Sequence, residues 1–309
     1  MLYIGVDLGG TNIAAGLVDE EGKILHKCSR PTGVERGAEA VIGDIAGLCQ
    51  QVMDETGHTA ADIKAIGVGV PGICHPDNGV VEFCTNLFWH KVPLRQIMNR
   101  TLDIPVFIGN DATVAGLAES VAGVSRGSAN SVFITLGTGV GGGIVEHGQV
   151  LGGARGIAGE LGHFTLYQDG APCPCGKRGC FESYASTSAL VRAAQARFGD
   201  PTLDGRAIFA RAEAGDGGML SLLERWIGDI SAGISGLVHI LGPELVLIGG
   251  GVSAQEKLLI EPLRRKVLGQ VMPRFAEGLR IERAELGNDA GLVGAACFLI
   301  GRYPELARG

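Results

Sequence analysis

The sequence predicts an α/β protein of two domains, and three observations carry that prediction. Short apolar runs of β-forming residues alternate with amphipathic helical stretches, the pattern of strands and helices layered on a shared core. A strand–glycine turn–strand unit opens the chain and returns near residue 131, so the two halves begin alike. The length of 309 residues is enough for two such cores.

Leu2 to Leu8 is an apolar strand ending in Asp7-Leu8-Gly9-Gly10-Thr11-Asn12, and Ile13 to Asp19 is apolar again. Glu20-Glu21-Gly22 turns the chain toward a third strand near Ile24 to Ser29. The glycine turn therefore joins strand to strand. A dinucleotide-binding loop would lead into a helix and read Gly-x-Gly-x-x-Gly, and a Walker A loop would carry Gly-Lys-Ser/Thr. Neither is present. What remains is a turn with backbone N–H groups and the Thr11 hydroxyl, suited to phosphate oxygens, beside the Asp7 carboxylate, suited to hydrated Mg²⁺. Read alone, it serves equally well as a plain hairpin turn.

Val41, Ile45, Leu48 and Val52 share one face of a helix over residues 38–56. Ile63 to Val70 is a strand closed by Pro71-Gly72. Residues 73–92 read as a loop with a short extended piece, and Thr85-Asn86-Leu87-Phe88-Trp89 offers polar and aromatic groups together, as sugar sites do. Pro105 to Gly109 is a strand and Ala112 to Ala122 a helix, which places Asn110-Asp111 between a strand's C-terminal end and a helix's N-terminus. Asp and Asn are preferred helix caps. Strand C-terminal ends are also where α/β sheets bind ligands. An ordinary Asp, with a pKa of about 3.9, is ionised at neutrality and can accept a proton.

Ser131 to Leu136 is a strand, Gly137-Thr138-Gly139-Val140-Gly141-Gly142-Gly143 a glycine turn, and Ile144-Val145 begins a strand again. Two such turns, each with a threonine, read as two phosphate clamps. Residues 183–198 and 218–241 are helical, and Glu244 to Ile248 is a strand ending in Gly249-Gly250-Gly251-Val252. That third turn could approach a flat nucleoside, or simply lead into a helix over 253–269. Leu279 to Leu286 reads as a strand and Asp289 to Ile300 as a closing helix.

Between these lies the densest chemistry. Ala158-Gly159-Glu160-Leu161-Gly162-His163 precedes Cys173-Pro174-Cys175-Gly176-Lys177-Arg178-Gly179-Cys180-Phe181-Glu182. Three thiols within eight positions and a histidine ten residues upstream suit a structural Cys3His zinc site, with Gly176 and Gly179 allowing the turns that return Cys180. Cys28, Cys49, Cys74, Cys84 and Cys297 are scattered, mostly in apolar runs, and read as core residues. A disulfide scaffold would be shorter and richer in cysteine. With thiolates supplying the charge, Glu160 and Glu182 are left to face something else, and polyhydroxylated substrates are bound by such acceptors.

Charged residues are 19% of the chain and the net charge is −7, with no basic run, which argues against nucleic-acid binding. No apolar run is long enough to span a bilayer, and the start of the sequence carries no secretory pattern, so a cytoplasmic protein with reduced thiols and no membrane partner is expected.

Together these stretches resemble the ROK family of sugar kinases. Asp7 to Asn12 resembles the family's first phosphate motif, Gly137 to Gly143 the second, and Gly249-Gly250-Gly251 its adenosine motif. Glu160-Leu161-Gly162-His163 matches its Glu-x-Gly-His signature, and residues 173–182 match Cys-x-Cys-Gly-x-x-Gly-Cys-x-Glu at every fixed position. The last two are highly specific, and the resemblance covers essentially the whole chain. Asn12 stands where some members carry Lys, so no phosphate contact is assigned to it.

The resemblance implies an actin/hexokinase-like (ribonuclease H-like) ATPase fold, two α/β domains around a cleft. A small domain, 1–118, would be completed by a C-terminal helix, 290–309; a large domain, 119–289, would carry a zinc-binding insertion, 158–182. It implies transfer of the ATP γ-phosphoryl group to the 6-hydroxyl of glucose, giving glucose 6-phosphate and ADP, with Mg²⁺. Asp111 would be the catalytic base. Gly72, Asn86, Asn110, Glu160, His163 and Glu182 would bind the sugar with Asp111. Asp7, Gly9, Gly10, Thr11, Gly137, Thr138, Gly139, Gly249, Gly250 and Gly251 would bind ATP, and His163, Cys173, Cys175 and Cys180 would bind structural Zn²⁺. A homodimer or a dimer of dimers is expected. The alternatives are a kinase for another hexose (N-acetylglucosamine, mannose, allose or fructose), a sugar-sensing regulator, or a sugar-binding protein without catalysis. The regulators carry a winged-helix domain ahead of the first phosphate motif. Here Asp7 stands near the start of the sequence, which favours the kinase.

Overall fold

Short apolar strands build two sheets with one strand order. The computed structural model describes residues 1–302; residues 303–309 of the expected C-terminal helix lie outside them. In chain order the first elements are β1 (Leu2–Leu8), β2 (Asn12–Asp19), β3 (Ile24–Pro31), α1 (Ala38–Thr56), β4 (Ile63–Val70), β5 (Ile73–His75), β6 (Val80–Cys84), β7 (Trp89–Val92), α2 (Leu94–Met98), β8 (Val106–Asn110) and α3 (Asp111–Ala122). They are followed by β9 (Asn130–Leu136), β10 (Val140–Glu146), β11 (Gln149–Val150), α4 (Glu182–Ala185), α5 (Thr187–Phe198), α6 (Gly205–Glu213), α7 (Gly217–Leu241), β12 (Leu245–Gly249), α8 (Glu261–Gln270), α9 (Pro273–Ala276), β13 (Arg280–Arg283) and α10 (Ala290–Arg302).

The first sheet has the order β3-β2-β1-β4-β8, and the second β11-β10-β9-β12-β13. In each, an antiparallel meander of three strands is followed by two strands parallel to its first member: β4 with β1 and β8 with β4, then β12 with β9 and β13 with β12. This shared order is the actin/hexokinase-like arrangement. The described residues divide into two compact units, one of residues 1–129, 143–159 and 285–302, the other of 130–142 and 160–284. The sequence alone draws these lines at 118/119 and 289/290.

In the first unit α1 covers one sheet face, burying Val41, Ile45, Leu48 and Val52 against Ile4, Val6 and Ile66. The opposite face carries Tyr3, Val18, Ala65, Leu292, Ala296 and Leu299, so α10 belongs to this core. The approach of α10 is close. A Cβ on Gly5 would lie 2.0 Å from the Leu292 carbonyl oxygen, and one on Gly67 1.9 Å from that of Ala295. Only glycine lets backbone meet backbone so tightly.

Several expectations are corrected. Residues 73–92 form a three-stranded antiparallel sheet, order β5-β6-β7, rather than a loop. Its buried side is small, with Cys74, Val81, Cys84 and Trp89, which gives too short an alternation to read as three strands. The helix expected over 183–198 is broken at Ser186, which adopts an extended backbone and caps α5 by accepting from the Ala189 N–H. The helix expected over 253–269 begins with a π turn at Glu256–Ile260 before α8, the strand expected over 279–286 is only β13, and α6 was not anticipated.

Candidate active site

Both sheets end their parallel strands in residues that the sequence singles out. In the first unit, Asp7 of β1 pairs in register with Gly69 of β4, which pairs with Gly109 of β8; Asn110 and Asp111 follow. Asp7 and Asp111 thus share the C-terminal edge of one sheet, the usual ligand edge of an α/β sheet.

The cap of α3 is Asn110, whose side-chain oxygen accepts from the Thr113 N–H at 3.0 Å. Its amide nitrogen donates to the Gly72 carbonyl at 3.1 Å. Asn110 therefore ties β8, α3 and the Pro71-Gly72 turn together. Asp111 is the first residue of α3, with its Oδ1 accepting from the Ala112 N–H at 2.8 Å. With the bond to Thr113 taken by Asn110, the Asp111 carboxyl group is partly buried and keeps part of its surface open. Burial pushes its pKa up, against the pull of the α3 backbone N–H groups, so Asp111 is not the ordinary Asp that the sequence alone implies. Asp7 is pushed from 3.8 to about 6, first by burial and then by the Asp111 charge. Gly291, in the first turn of α10, leaves room for it: a Cβ there would fall 2.6 Å from the Asp7 carboxyl carbon.

The first glycine turn closes on itself, Gly9 N–H to the Asn12 carbonyl at 2.9 Å. Thr32, wholly buried after β3, grips it twice. Its N–H donates to the Thr11 carbonyl at 2.9 Å and its hydroxyl to the Gly9 carbonyl at 2.7 Å. With those carbonyls engaged behind it, the turn presents the exposed Thr11. Gly10 lies beside Asn86, where a Cβ would meet the Asn86 Cβ at 3.5 Å. Gly72, at φ +86°, would place a Cβ 2.3 Å from the Phe83 carbonyl oxygen, so the small sheet is locked onto this edge by glycine alone. Phe88, at φ +56° and 84% exposed, projects from the same loop. All eight first-unit site residues named by the sequence are therefore gathered around one sheet edge.

In the second unit the Gly137-Thr138-Gly139 and Gly249-Gly250-Gly251 turns end the adjacent parallel strands β9 and β12. Gly250, at φ +88°, would place a Cβ 2.2 Å from the Leu136 carbonyl oxygen, so the two turns touch. Thr187, unmarked by the sequence pattern, donates its N–H to the Gly137 carbonyl at 2.9 Å and its hydroxyl to the Leu136 carbonyl at 3.2 Å. The signal was a threonine opening a helix, which is too common to notice.

The metal-binding expectation fits the residues. The donor atoms of His163, Cys173, Cys175 and Cys180 all lie within 4.8 Å of one another. Cys175 and Cys180 sulfurs are 3.6 Å apart, and His163 Nδ1 is 3.7 Å from the Cys173 sulfur. Metal–sulfur bonds of about 2.3 Å in a tetrahedron give edges of about 3.8 Å. Burial and the neighbouring thiols push Cys180 up to about 12, and a bound cation would favour its thiolate form. His163 turns Nδ1 to the cysteines and Nε2 toward Glu160, 4.0 Å away. Glu182 lies on the other flank, with Oε1 3.8 Å from the Cys173 sulfur and Oε2 accepting from the Val140 N–H at 3.0 Å. Among the described residues, no helix is long and apolar enough to cross a membrane.

Known proteins share both the sequence and the fold. The ROK family profile matches residues 3–302. A glucokinase from Thermotoga maritima is 39% identical over 96% of this chain and 96% of its own. A putative xylose repressor from Caldicellulosiruptor is 30% identical, covering 97% of this chain and 78% of the repressor. Among solved structures, the ROK hexokinase from Thermus thermophilus superposes with a TM-score of 0.86 at 37% identity, covering all of both chains. A ROK family glucokinase from Streptomyces griseus, in complex with glucose and AMPPNP, superposes with a TM-score of 0.80 at 34% identity over 96% of this chain and 98% of that one. With the profile covering nearly every described residue and both specific signatures folded into one site, the chain belongs to the ROK family.

Proposed function

We propose that this protein is an ATP-dependent sugar kinase that transfers the γ-phosphoryl group to the 6-hydroxyl of glucose. The observation that carries the reading is Asp111, a carboxylate at the sheet's ligand edge, relieved of capping by Asn110 and raised in basicity by burial. Such a group is placed to orient a hydroxyl and take its proton. The sugar oxygen attacks the γ-phosphorus, the bond from that phosphorus to the β-bridging oxygen breaks, ADP leaves, and Asp111 keeps the proton. Phosphoryl transfer passes through a loose transition state, so positioning and charge neutralisation supply most of the catalysis.

The relatives named glucokinase, and the relative solved with glucose and AMPPNP, support this choice of substrates. Asn86, Gly72, Asn110, Glu160, His163 and Glu182 would hold the sugar's remaining hydroxyls. The turns at Gly9-Gly10-Thr11 and Gly137-Thr138-Gly139 would hold the phosphates, and Gly249-Gly250-Gly251 the adenosine. Asp7, buried beside a like charge, is suited to a hydrated Mg²⁺, which supplies charge neutralisation along the triphosphate. His163, Cys173, Cys175 and Cys180 would bind zinc with four protein ligands and no open position, so its part is structural. Assembly as a homodimer or a dimer of dimers belongs to the same proposal.

The test is a coupled ADP-release assay with ATP and Mg²⁺ against a panel of hexoses, N-acetylated ones included. Turnover concentrated on glucose supports the reading. Turnover on another hexose moves the substrate alone. The repressor relatives favour a second reading, sugar sensing without catalysis. Sugar binding by the folded protein with no ADP release from any hexose would select it.

A further inference from the structure

The metal cluster and the second glycine turn are gripped by the same short segment. Leaving the last metal ligand, Cys180, the chain passes Phe181, Glu182 and α4 to Thr187 within seven residues. Phe181 is wholly buried, stacks on Phe164 at 5.0 Å and lies against Gly233 of α7, where a Cβ would come within 2.4 Å of its ring. Trp226 of α7 donates its ring N–H to the Ala185 carbonyl at 3.1 Å. The segment is thus anchored on one side by α7 and on the other by the cysteines.

From that anchorage it holds the turn at successive residues. Thr187 takes the Leu136 and Gly137 carbonyls, and Glu182 takes the Val140 N–H. Gly139 lies so close to Glu182 that a Cβ would fall 2.3 Å from Oε2. The segment entering the cluster closes the other side. A Cβ on Gly162 would lie 2.3 Å from the Val140 carbonyl oxygen, and one on Gly142 2.4 Å from the Leu161 side chain. Both sides of the turn are therefore held by the segments that enter and leave the cysteine cluster. The first glycine turn has no such dependence, since Thr32 holds it from the end of a sheet strand.

We propose that Glu182 and Thr187 couple the metal cluster to the second glycine turn, so that metal occupancy is read in the affinity for nucleotide phosphates as well as in the sugar site. This rests on the phosphate-binding reading of Gly137-Thr138-Gly139. Thr187 is the positioning residue that isolates the coupling, because it lies outside the metal ligands and the sugar contacts. Its two hydrogen bonds turn the carbonyls of residues 136 and 137 inward, which commits the turn's remaining polar groups to the ligand side.

The experiment measures Mg²⁺·AMPPNP and glucose affinities calorimetrically on the zinc-loaded protein, on protein stripped by dialysis against a chelator that is then removed, and on zinc-loaded Thr187→Val and Thr187→Ser. Loss of one hydrogen bond is worth about 0.5–1.5 kcal/mol, a factor of roughly 2–13. The expected result is that Thr187→Val weakens AMPPNP about fivefold with zinc content, melting temperature and glucose affinity unchanged, and that Thr187→Ser restores it. Stripped protein that stays folded is expected to lose AMPPNP affinity by about tenfold or more, as several such contacts loosen together. Equal AMPPNP affinity in folded stripped and loaded protein overturns the coupling. So does Thr187→Val binding AMPPNP as the parent does, which decides the matter even if stripping unfolds the chain. Loaded parent protein that binds glucose but no AMPPNP would overturn the phosphate reading itself, and the coupling with it.

Discussion

The two sheets repeat one strand order but arm their ligand edges differently. The first edge carries partly buried carboxyl groups, Asp7 and Asp111, at the ends of β1 and β8. The second carries backbone, the Gly137 and Gly249 turns at the ends of β9 and β12, with the cluster of His163, Cys173, Cys175 and Cys180 behind. The lesson is that a topology fixes where a ligand edge lies, and the residues at its strand ends decide what the edge does. Carboxylates placed there can move a proton and hold a cation. Glycines placed there let main-chain groups approach an anion. Even the shared glycine turns differ in support, since one is held by the sheet's own next strand through Thr32 and the other by the knuckle through Thr187.

The sharpest way to break this contrast is Asp111→Asn. The neutral isostere keeps the shape of the edge and removes its basicity. Turnover is expected to fall by about 10³ or more, within the usual range for a general base, with glucose and AMPPNP affinities retained. Near-parent turnover would show that the charged edge is not catalytic.

The next effect is on stability, through Asp7. Its folded pKa of about 6 lies above its unfolded 3.8. A raised pKa means that the folded state binds the proton more tightly. The favourable contribution is therefore complete below about pH 3.8 and is lost as pH rises through about 6. At 1.36 kcal/mol per unit this is up to about 3 kcal/mol. Asp7→Asn should therefore raise unfolding free energy near neutrality by an amount that disappears below pH 4, while weakening the Mg²⁺ dependence of any ATP turnover. Denaturant titrations at pH 4 and pH 7.5 check it, and an equal change at both pH values would remove Asp7's burial as the cause.

The smallest effect separates the two turns. Thr32→Val removes the hydroxyl bond to Gly9, worth about 1 kcal/mol. Nucleotide affinity should fall a few-fold and to the same degree in zinc-loaded and zinc-stripped protein, because Thr32 rather than the His/Cys cluster holds the first turn. A loss that depended on zinc would mean that the two turns are not independently supported.

Much of this was legible in the sequence. The bounds of α1 over 38–56 and β4 over 63–70 were legible, α1 because its apolar face recurs with helical period and β4 because it is an apolar run buried on both sides of the sheet. Cysteine spacing marked a His/Cys cluster able to hold a metal ion, because side chains close in sequence need only local turns to converge. The two glycine turns marked the repeated meander, and through the family signatures the fold. Residues 73–92 were not legible as a sheet, because its strands of three to five residues are too short to show a period.

What the tertiary structure alone decided are the roles set by contacts distant in sequence. It tied the Asn110 amide to the Gly72 carbonyl, and it brought Asp7 beside Asp111, more than a hundred residues on, where burial and a like charge raise Asp7 to about 6. It also put Thr32 and Thr187 behind glycine turns many positions away. A side chain's type is written in the chain, but its protonation and its hydrogen-bond partner depend on what the fold packs against it, and packing is a property of pairs that sequence position does not reveal.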